Sequence, residues 1–165
     1  MPDAAPISID ELAERLPPGR PRSGLDVGTK TIGIAVSDRG RRIASPRETI
    51  RRTRFGPDAA RLLDIAQGDG AAGVVIGLPI SMDGSEGPRA QSTRAFARNL
   101  ARLTELPIAF WDERLSTAVI ERMLIEADRS RARRAEIVDK LAAAYILQGA
   151  LDRLARIADQ STSGA

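Results

Sequence analysis

The sequence contains no cysteine and no histidine. The first absence excludes disulfides and thiolate metal sites. The second excludes a Ser-His-Asp triad, a histidine general base and histidine-ligated zinc. Any chemistry must therefore use carboxylates, hydroxyls, amines or guanidinium groups. Any bound ion must be a hard, oxygen-liking one such as Mg²⁺ or Mn²⁺. Aromatic residues are scarce, at 3%, which argues against a protein that stacks single-stranded bases on exposed rings. No apolar run is long enough to span a bilayer. The opening stretch MPDAAPISIDELAERL carries acids and no early basic region, so it does not read as a signal peptide. A cytoplasmic location without membrane contact is expected.

What remains is a chain of 165 residues, 42% hydrophobic and 28% charged, suited to one compact domain. Its formal net charge is +3, and Lys30 and Lys140 are the only lysines among 25 basic residues. Codon preference accounts for much of that bias. Clustering is more informative. Arg39, Arg41, Arg42, Arg47, Arg51, Arg52 and Arg54 crowd one segment, and Arg129, Arg131, Arg133 and Arg134 crowd another. Planar guanidinium forks suit phosphate, so such clusters fit a polyanion surface as well as a solvated one.

The pattern of elements follows from caps and periodicity. Ser8 with Glu11 three residues on marks a short helix. Strands are expected over Gly24–Gly28, Lys30–Ser37 and Ile43–Ile50, the last at an edge or with a bulge because of Pro46. FGPDAARLLDIAQ reads as a helix, and AGVVIGLP as a strand covered on both faces. A helix over Arg89–Leu103 precedes a strand in LPIAFWDER. A helix capped by Ser116 or Thr117 follows, then DRSRARR as a basic loop or frayed helix start, then a long helix to about Ala158. This order predicts an α/β fold: a mixed sheet with an antiparallel opening meander and then parallel strands, flanked by helices. The division expected is a short helix and linker over 1–22, one domain over 23–158 and a disordered tail over 159–165.

Three acids stand out. Asp26 lies mid-strand between Gly24 and Gly28, where an unpaired carboxylate is costly. Taken alone, pairing with Lys30 or a turn cap explains it equally well. In FWDER, Asp112 and Glu113 fall where the last strand ends, the place where ligands gather in open α/β sheets. On a regular strand only one of them shares a face with Asp26. Asp139 lies on a helical stripe with Ala142, Ala143 and Ile146. Three inward acids from separate elements suggest a divalent-metal site able to activate water against a phosphodiester. The arginine clusters would position the polyanion.

The stretches LDVGTKTIGIAVSD, VVIGLPISMDGSEGPRA, WDERLSTAVIERML and IVDKLAAAYILQGAL closely resemble the YqgF (RuvX-like) family, in matching order over about Gly24 to Leu154. The resemblance implies an RNase H-like fold and a nuclease needing Mg²⁺ or Mn²⁺. The implied task is maturation of the 5′ end of pre-16S ribosomal RNA, with ribosomal particles as partners. An older assignment is Holliday junction resolution on branched DNA. It also implies an acidic, metal-binding triad of Asp26, Glu113 and Asp139, and phosphate contacts from Lys30 and Arg114. Arg131, Arg133 and Arg134 add nucleic-acid contacts on the residue reading. Ser81 stands where the family pattern leads one to expect asparagine. A monomer or weak dimer is expected; symmetric resolution of a junction would favour the dimer, whereas RNA trimming would not require one.

Two other readings compete. LDVGTKTIGIAVSD also resembles the first phosphate loop of the actin, sugar-kinase and Hsp70 superfamily, which needs a second such domain that this chain has no room for. A catalytically silent nucleic-acid-binding module would explain the arginines. It would gain nothing from inward carboxylates, which repel phosphate unless a cation intervenes.

Overall fold

The computed structural model describes residues 5–17, 19–115 and 131–163, with side chains over 5–17, 19–114 and 141–160. Helix α1 (Ile9–Arg15) leads to strands β1 (Ser23–Val27), β2 (Thr31–Ser37) and β3 (Ala44–Arg51). Then come α2 (Phe55–Gly68), β4 (Val74–Leu78), α3 (Pro88–Ala101) and β5 (Ile108–Asp112). A 3₁₀ turn over Glu113–Leu115 follows β5, and the last element is α4 (Arg131–Ser163). The sheet order is β3-β2-β1-β4-β5. β1, β2 and β3 pair antiparallel, whereas β4 runs parallel to β1 and β5 to β4.

Alternation along the strands sorts side chains onto two faces. Leu25, Val27, Ile34 and Ile76 join Leu62 of α2 and Phe96 and Leu100 of α3 in one core layer. Ala35, Val75 and Ala109 meet Leu12 of α1 and Ala143, Leu147 and Ala150 of α4 in the other. Each fully buried Leu or Ile contributes about 1.5–3 kcal/mol. The opening cap forms as its sequence dictates, with the Glu11 N–H donating to Ser8 Oγ at 3.1 Å. The capped helix buries Ile9 and Leu12 and packs against α4 and β5.

Pro46 satisfies both of its expectations. β3 is an edge strand, and the register slips between Ile34 and Ala35, so that Glu48 and Pro46 face consecutive β2 residues with Arg47 between them. The opposite edge is covered by the N-terminal segment, whose Ile7 N–H donates to Ile108 O at 2.8 Å. The described part of α4 covers Arg131–Ser163. The helix expected after Ser116 lies outside the described residues. Among the described residues, no helix is long and apolar enough to cross a membrane.

Candidate active site: an acid pair at the end of the parallel strands

β1, β4 and β5 run parallel, so their C-terminal ends meet at one rim of the sheet. Gly24 and Asp26 lie on the same face of β1, two residues apart. α4 seats directly on Gly24: a Cβ there would lie 2.6 Å from Leu147 Cβ and 3.0 Å from Ala143 O. Asp26 therefore belongs to the α4 side of the sheet, at the strand ends, and is partly buried.

Glu113 reaches the same place from β5. The strand stops at Asp112, and Glu113 opens the 3₁₀ turn; Ala109 and Trp111 pack on the α4 side, so the alternation carries Glu113 to the face of Asp26 and leaves Asp112 on the face of Phe110. Glu113 shares a side-chain hydrogen bond with Asp26. Its pKa is pushed up to about 7, chiefly by burial, then by the Asp26 charge and that hydrogen bond. Asp112 adds slightly to the rise, and Arg89 opposes it. Two carboxyls that share a proton in this way are poised to exchange it for a cation.

The path between them crosses β4 at Gly77, which pairs with Trp111. A Cβ at Gly77 would fall 2.7 Å from Glu113 Oε1 and would also collide with Ile146 of α4. The missing side chain is what lets the Glu113 carboxyl lie over β4 toward Asp26.

Asp112 does something different. Arg114 grips it, with Nε at 2.9 Å and Nη2 at 2.6 Å from Oδ2, and the Arg114 N–H donates to Oδ1 at 3.0 Å. That guanidinium holds the Asp112 carboxyl below its ordinary range, and the carboxylate raises Arg114 in return. The neighbouring acids are thus shifted in opposite directions. Arg114 also faces the loop after β4, with Nη1 3.8 Å from where a Gly84 Cβ would stand. That loop is closed by Asp83, whose Oδ1 accepts from the Ser85 N–H at 2.9 Å and its Oγ at 2.6 Å. Ser81 serves it through its backbone, accepting from the Gly84 N–H and donating to Ser85 O.

Lys30 is exposed in the β1–β2 turn. The turn is braced by Arg52, whose Nη1 donates to Gly28 O at 2.7 Å while its N–H donates to Lys30 O at 2.8 Å. Arg52 also lies over the Phe96 ring, 5.5 Å from its centroid, and Arg47 is ion-paired to Asp69 at 3.2 Å. Part of the strand-three cluster is therefore structural. Asp139, Arg131, Arg133 and Arg134 all lie in α4, but their side chains are outside the described residues. Asp139 stands one helical turn before Ala143, the residue whose carbonyl lies against Gly24. Among the described residues no three acids gather into a cluster able to hold an ion; Asp26 and Glu113 are two. Arg89 and Gly77 escaped the sequence reading. The signal for Gly77 was a glycine inside a wholly buried strand, which marks a close approach. Arg89 follows the loop directly, but nothing in the sequence alone pairs it with Glu113.

The donor set suits a hard divalent ion. It offers carboxylate oxygens, in a chain without histidine or cysteine.

A family described as "RuvX: Holliday junction resolvase" matches residues 21–153. A Rhizobium meliloti protein named "Putative pre-16S rRNA nuclease" is 60% identical over 152 residues, 92% of each chain. A Ruegeria pomeroyi protein of the same name is 63% identical over 147 residues, covering 89% of this chain and 96% of its own. Among solved structures, Thermus thermophilus RuvC in complex with a Holliday junction substrate superposes with a TM-score of 0.53 at 16% identity, over 82% of this chain and 96% of that one. The yeast mitochondrial Holliday junction resolvase Ydc2 gives 0.51 at 10% identity, over 94% and 91%. These two likenesses establish a shared RNase H-like, RuvC-type fold. With the match over residues 21–153 and the sequence identities above, the chain belongs to the RuvX family.

Proposed function

We propose that this chain is a nuclease that hydrolyses a phosphodiester bond of ribosomal RNA precursors, working on ribosomal particles in the cytoplasm. The observation that carries the reading is the Asp26–Glu113 carboxyl pair, sharing a hydrogen bond at the C-terminal rim of the sheet, in a chain about 60% identical to relatives bearing that nuclease name. Asp26, Glu113 and Asp139 hold Mg²⁺ or Mn²⁺ in this proposal. Such an ion, when bound, lowers the pKa of water and stabilises the leaving oxygen.

The remaining roles belong to the chain's own groups. Gly77 leaves the space in which Glu113 meets Asp26. Asp112 is a positioning residue, holding the Arg114 guanidinium beside the loop over 81–87, where a substrate phosphate would meet it. Arg89 offers a second cation on the Glu113 side, and Lys30 a third from the β1–β2 turn. Arg131, Arg133 and Arg134, in α4, extend the cationic surface along the strand of nucleic acid. A silent binding module has no use for the paired acids, since they repel phosphate.

The second reading, resolution of four-way DNA junctions, rests on the family description. One assay separates the two. Cleavage of a pre-16S 5′-end RNA is compared with cleavage of a four-way junction, with Mg²⁺, with Mn²⁺ and with chelator. The proposal expects faster RNA cleavage, abolished by chelator. Preferential cleavage of the junction would transfer the assignment to DNA, and cleavage surviving chelation would remove the metal.

A further inference from the structure

At the end of the sheet away from the acids, a cavity of about 620 Å³ opens between α1, the second half of α4 and the turn joining β2 to β3. Arg22, just before β1, lines it and is only 1% exposed. Its Nη1 donates to the carbonyls of Arg20 and Pro21, whereas its Nε is shut off from solvent and has no hydrogen-bond partner. Among the described residues no ion pair to a carboxylate is formed by Arg22. The charges that act on it are those of Arg41 and Arg20, and with burial as the largest cause they lower its pKa to about 10. A guanidinium in that range stays charged at neutral pH. A buried charge without a counter-ion costs several kcal/mol, so the fold retains an expense that an anion would relieve.

The turn above it is built to present more of the same charge. Arg41 and Arg42 both line the cavity. Arg41 is the one described non-glycine residue in the left-handed region, with φ 58°, a conformation that costs about 1–2 kcal/mol. The turn is nonetheless firmly fixed. Asp38 Oδ1 accepts from the Arg42 N–H at 2.8 Å and the Ile43 N–H at 3.2 Å. Gln148 of α4 fastens it from below, donating from Nε2 to Arg42 O at 2.8 Å and accepting from the Ala44 N–H at 2.9 Å. The acids of the cavity lie on its helical side: Asp10, held by Arg153 at 3.5 Å, with Glu14 and Asp159. The end formed by Arg22, Arg41 and Arg42 is the cationic one.

We infer that this cavity is a second anion site, which takes a phosphate group at the opposite end of β1 from the acid pair. A strand end of nucleic acid and a free phosphate share the chemistry it recognises. The test uses metal-free protein, so that the acids cannot hold phosphate through a cation, at fixed ionic strength. Inorganic phosphate is titrated against wild type and against Arg41→Gly/Arg42→Ala by calorimetry and by thermal melting. Arg41→Gly also relieves the left-handed backbone, so the variant is expected to melt no lower than wild type without phosphate. The expected result is phosphate binding to wild type, weakened at least tenfold in the variant. Competition by a 5′-phosphorylated RNA, but not by its unphosphorylated twin, would identify a strand end as the source; no competition by either would leave free phosphate. Absence of phosphate binding to wild type, or equal binding by a folded variant, overturns the inference.

Discussion

The two ends of β1 bury charge of opposite sign and deal with it differently. Asp26 lies near one end, and Arg22 stands just before the other, about 13 Å away at the usual rise per residue. At the acid end, Glu113 meets a like charge and responds by keeping a proton up to about pH 7. At the basic end, Arg22 is buried and meets the like charges of Arg41 and Arg20, yet its pKa falls only to about 10. A carboxyl has a neutral form within physiological reach, and a guanidinium does not. The acid pair can therefore wait for a cation in a protonated state, whereas the arginine stays in need of an anion at every physiological pH. The same contrast divides the strand-three arginines. Arg41 and Arg42 serve the basic end, while Arg52 braces the Gly28–Lys30 turn at the acid end.

The largest expected effect at the acid end comes from Asp26→Asn. It keeps the shape and removes a charge that attracts cations, so single-turnover cleavage should fall at least about a thousandfold, or about 4 kcal/mol of barrier. Binding of RNA without metal should be unchanged or tighter, since a repelling charge is gone. Loss of folding together with cleavage would instead make Asp26 a structural turn residue.

Gly77→Ala should be the next most damaging change. Overpacking against Ile146 is expected to cost about 1–3 kcal/mol of stability, and displacement of Glu113 should weaken Mn²⁺ binding. The double variant Gly77→Ala/Ile146→Val separates the two effects. Its melting temperature should recover toward wild type while Mn²⁺ affinity stays low. Recovery of both would show that Gly77 serves helix packing alone.

A pH series tests the shared proton. The folded-state pKa of Glu113 lies above its ordinary 4.5, so the stabilisation from its protonated form is full below about pH 4.5. It is lost as pH rises through about 7. Metal-free protein should accordingly lose stability over that window, against any background trend seen in Glu113→Gln. Saturating Mg²⁺ should abolish the loss, because the cation replaces the proton. An identical pH profile in wild type and Glu113→Gln would contradict the pairing.

The smallest effects belong to the arginines that begin the described part of α4. Replacing Arg131, Arg133 and Arg134 with alanine should weaken RNA binding across sequences. Each lost phosphate contact should reduce the log–log salt slope by about 0.7–0.9. An unchanged slope with unchanged single-turnover cleavage would return these residues to ordinary solvated surface.

Much of this arrangement is legible in the sequence, for reasons that differ by residue. Asp26 betrays itself because a carboxylate between two glycines in an apolar strand demands a partner. Pro46 announces an edge with a bulge because it lacks an N–H. Whether Asp112 or Glu113 turns toward Asp26 is not legible, because it depends on the phase of β5, and a run apolar on both faces, Ile108 and Phe110 on one and Ala109 and Trp111 on the other, leaves that phase unmarked. The helical run through Asp159 to Ser163 was missed because polar and small residues carry no apolar period there. Arg22 is not legible as a buried charge, since the pairing of β2 with β1 brings Ser37 and Arg41 to it from 15 or more residues away. The resemblance that located the acids begins at Gly24 and so passes it by.

The assignment of the acids is tested most directly by Mn²⁺ binding to Glu113→Gln and Asp112→Asn, measured by electron paramagnetic resonance at pH 7 and compared with wild type. The structure gives these adjacent residues opposite roles: Glu113 shares a hydrogen bond with Asp26, and Asp112 is engaged by Arg114. Glu113→Gln should lose most of the bound Mn²⁺ signal, and Asp112→Asn should retain it. Retention by Glu113→Gln with loss in Asp112→Asn would contradict the account.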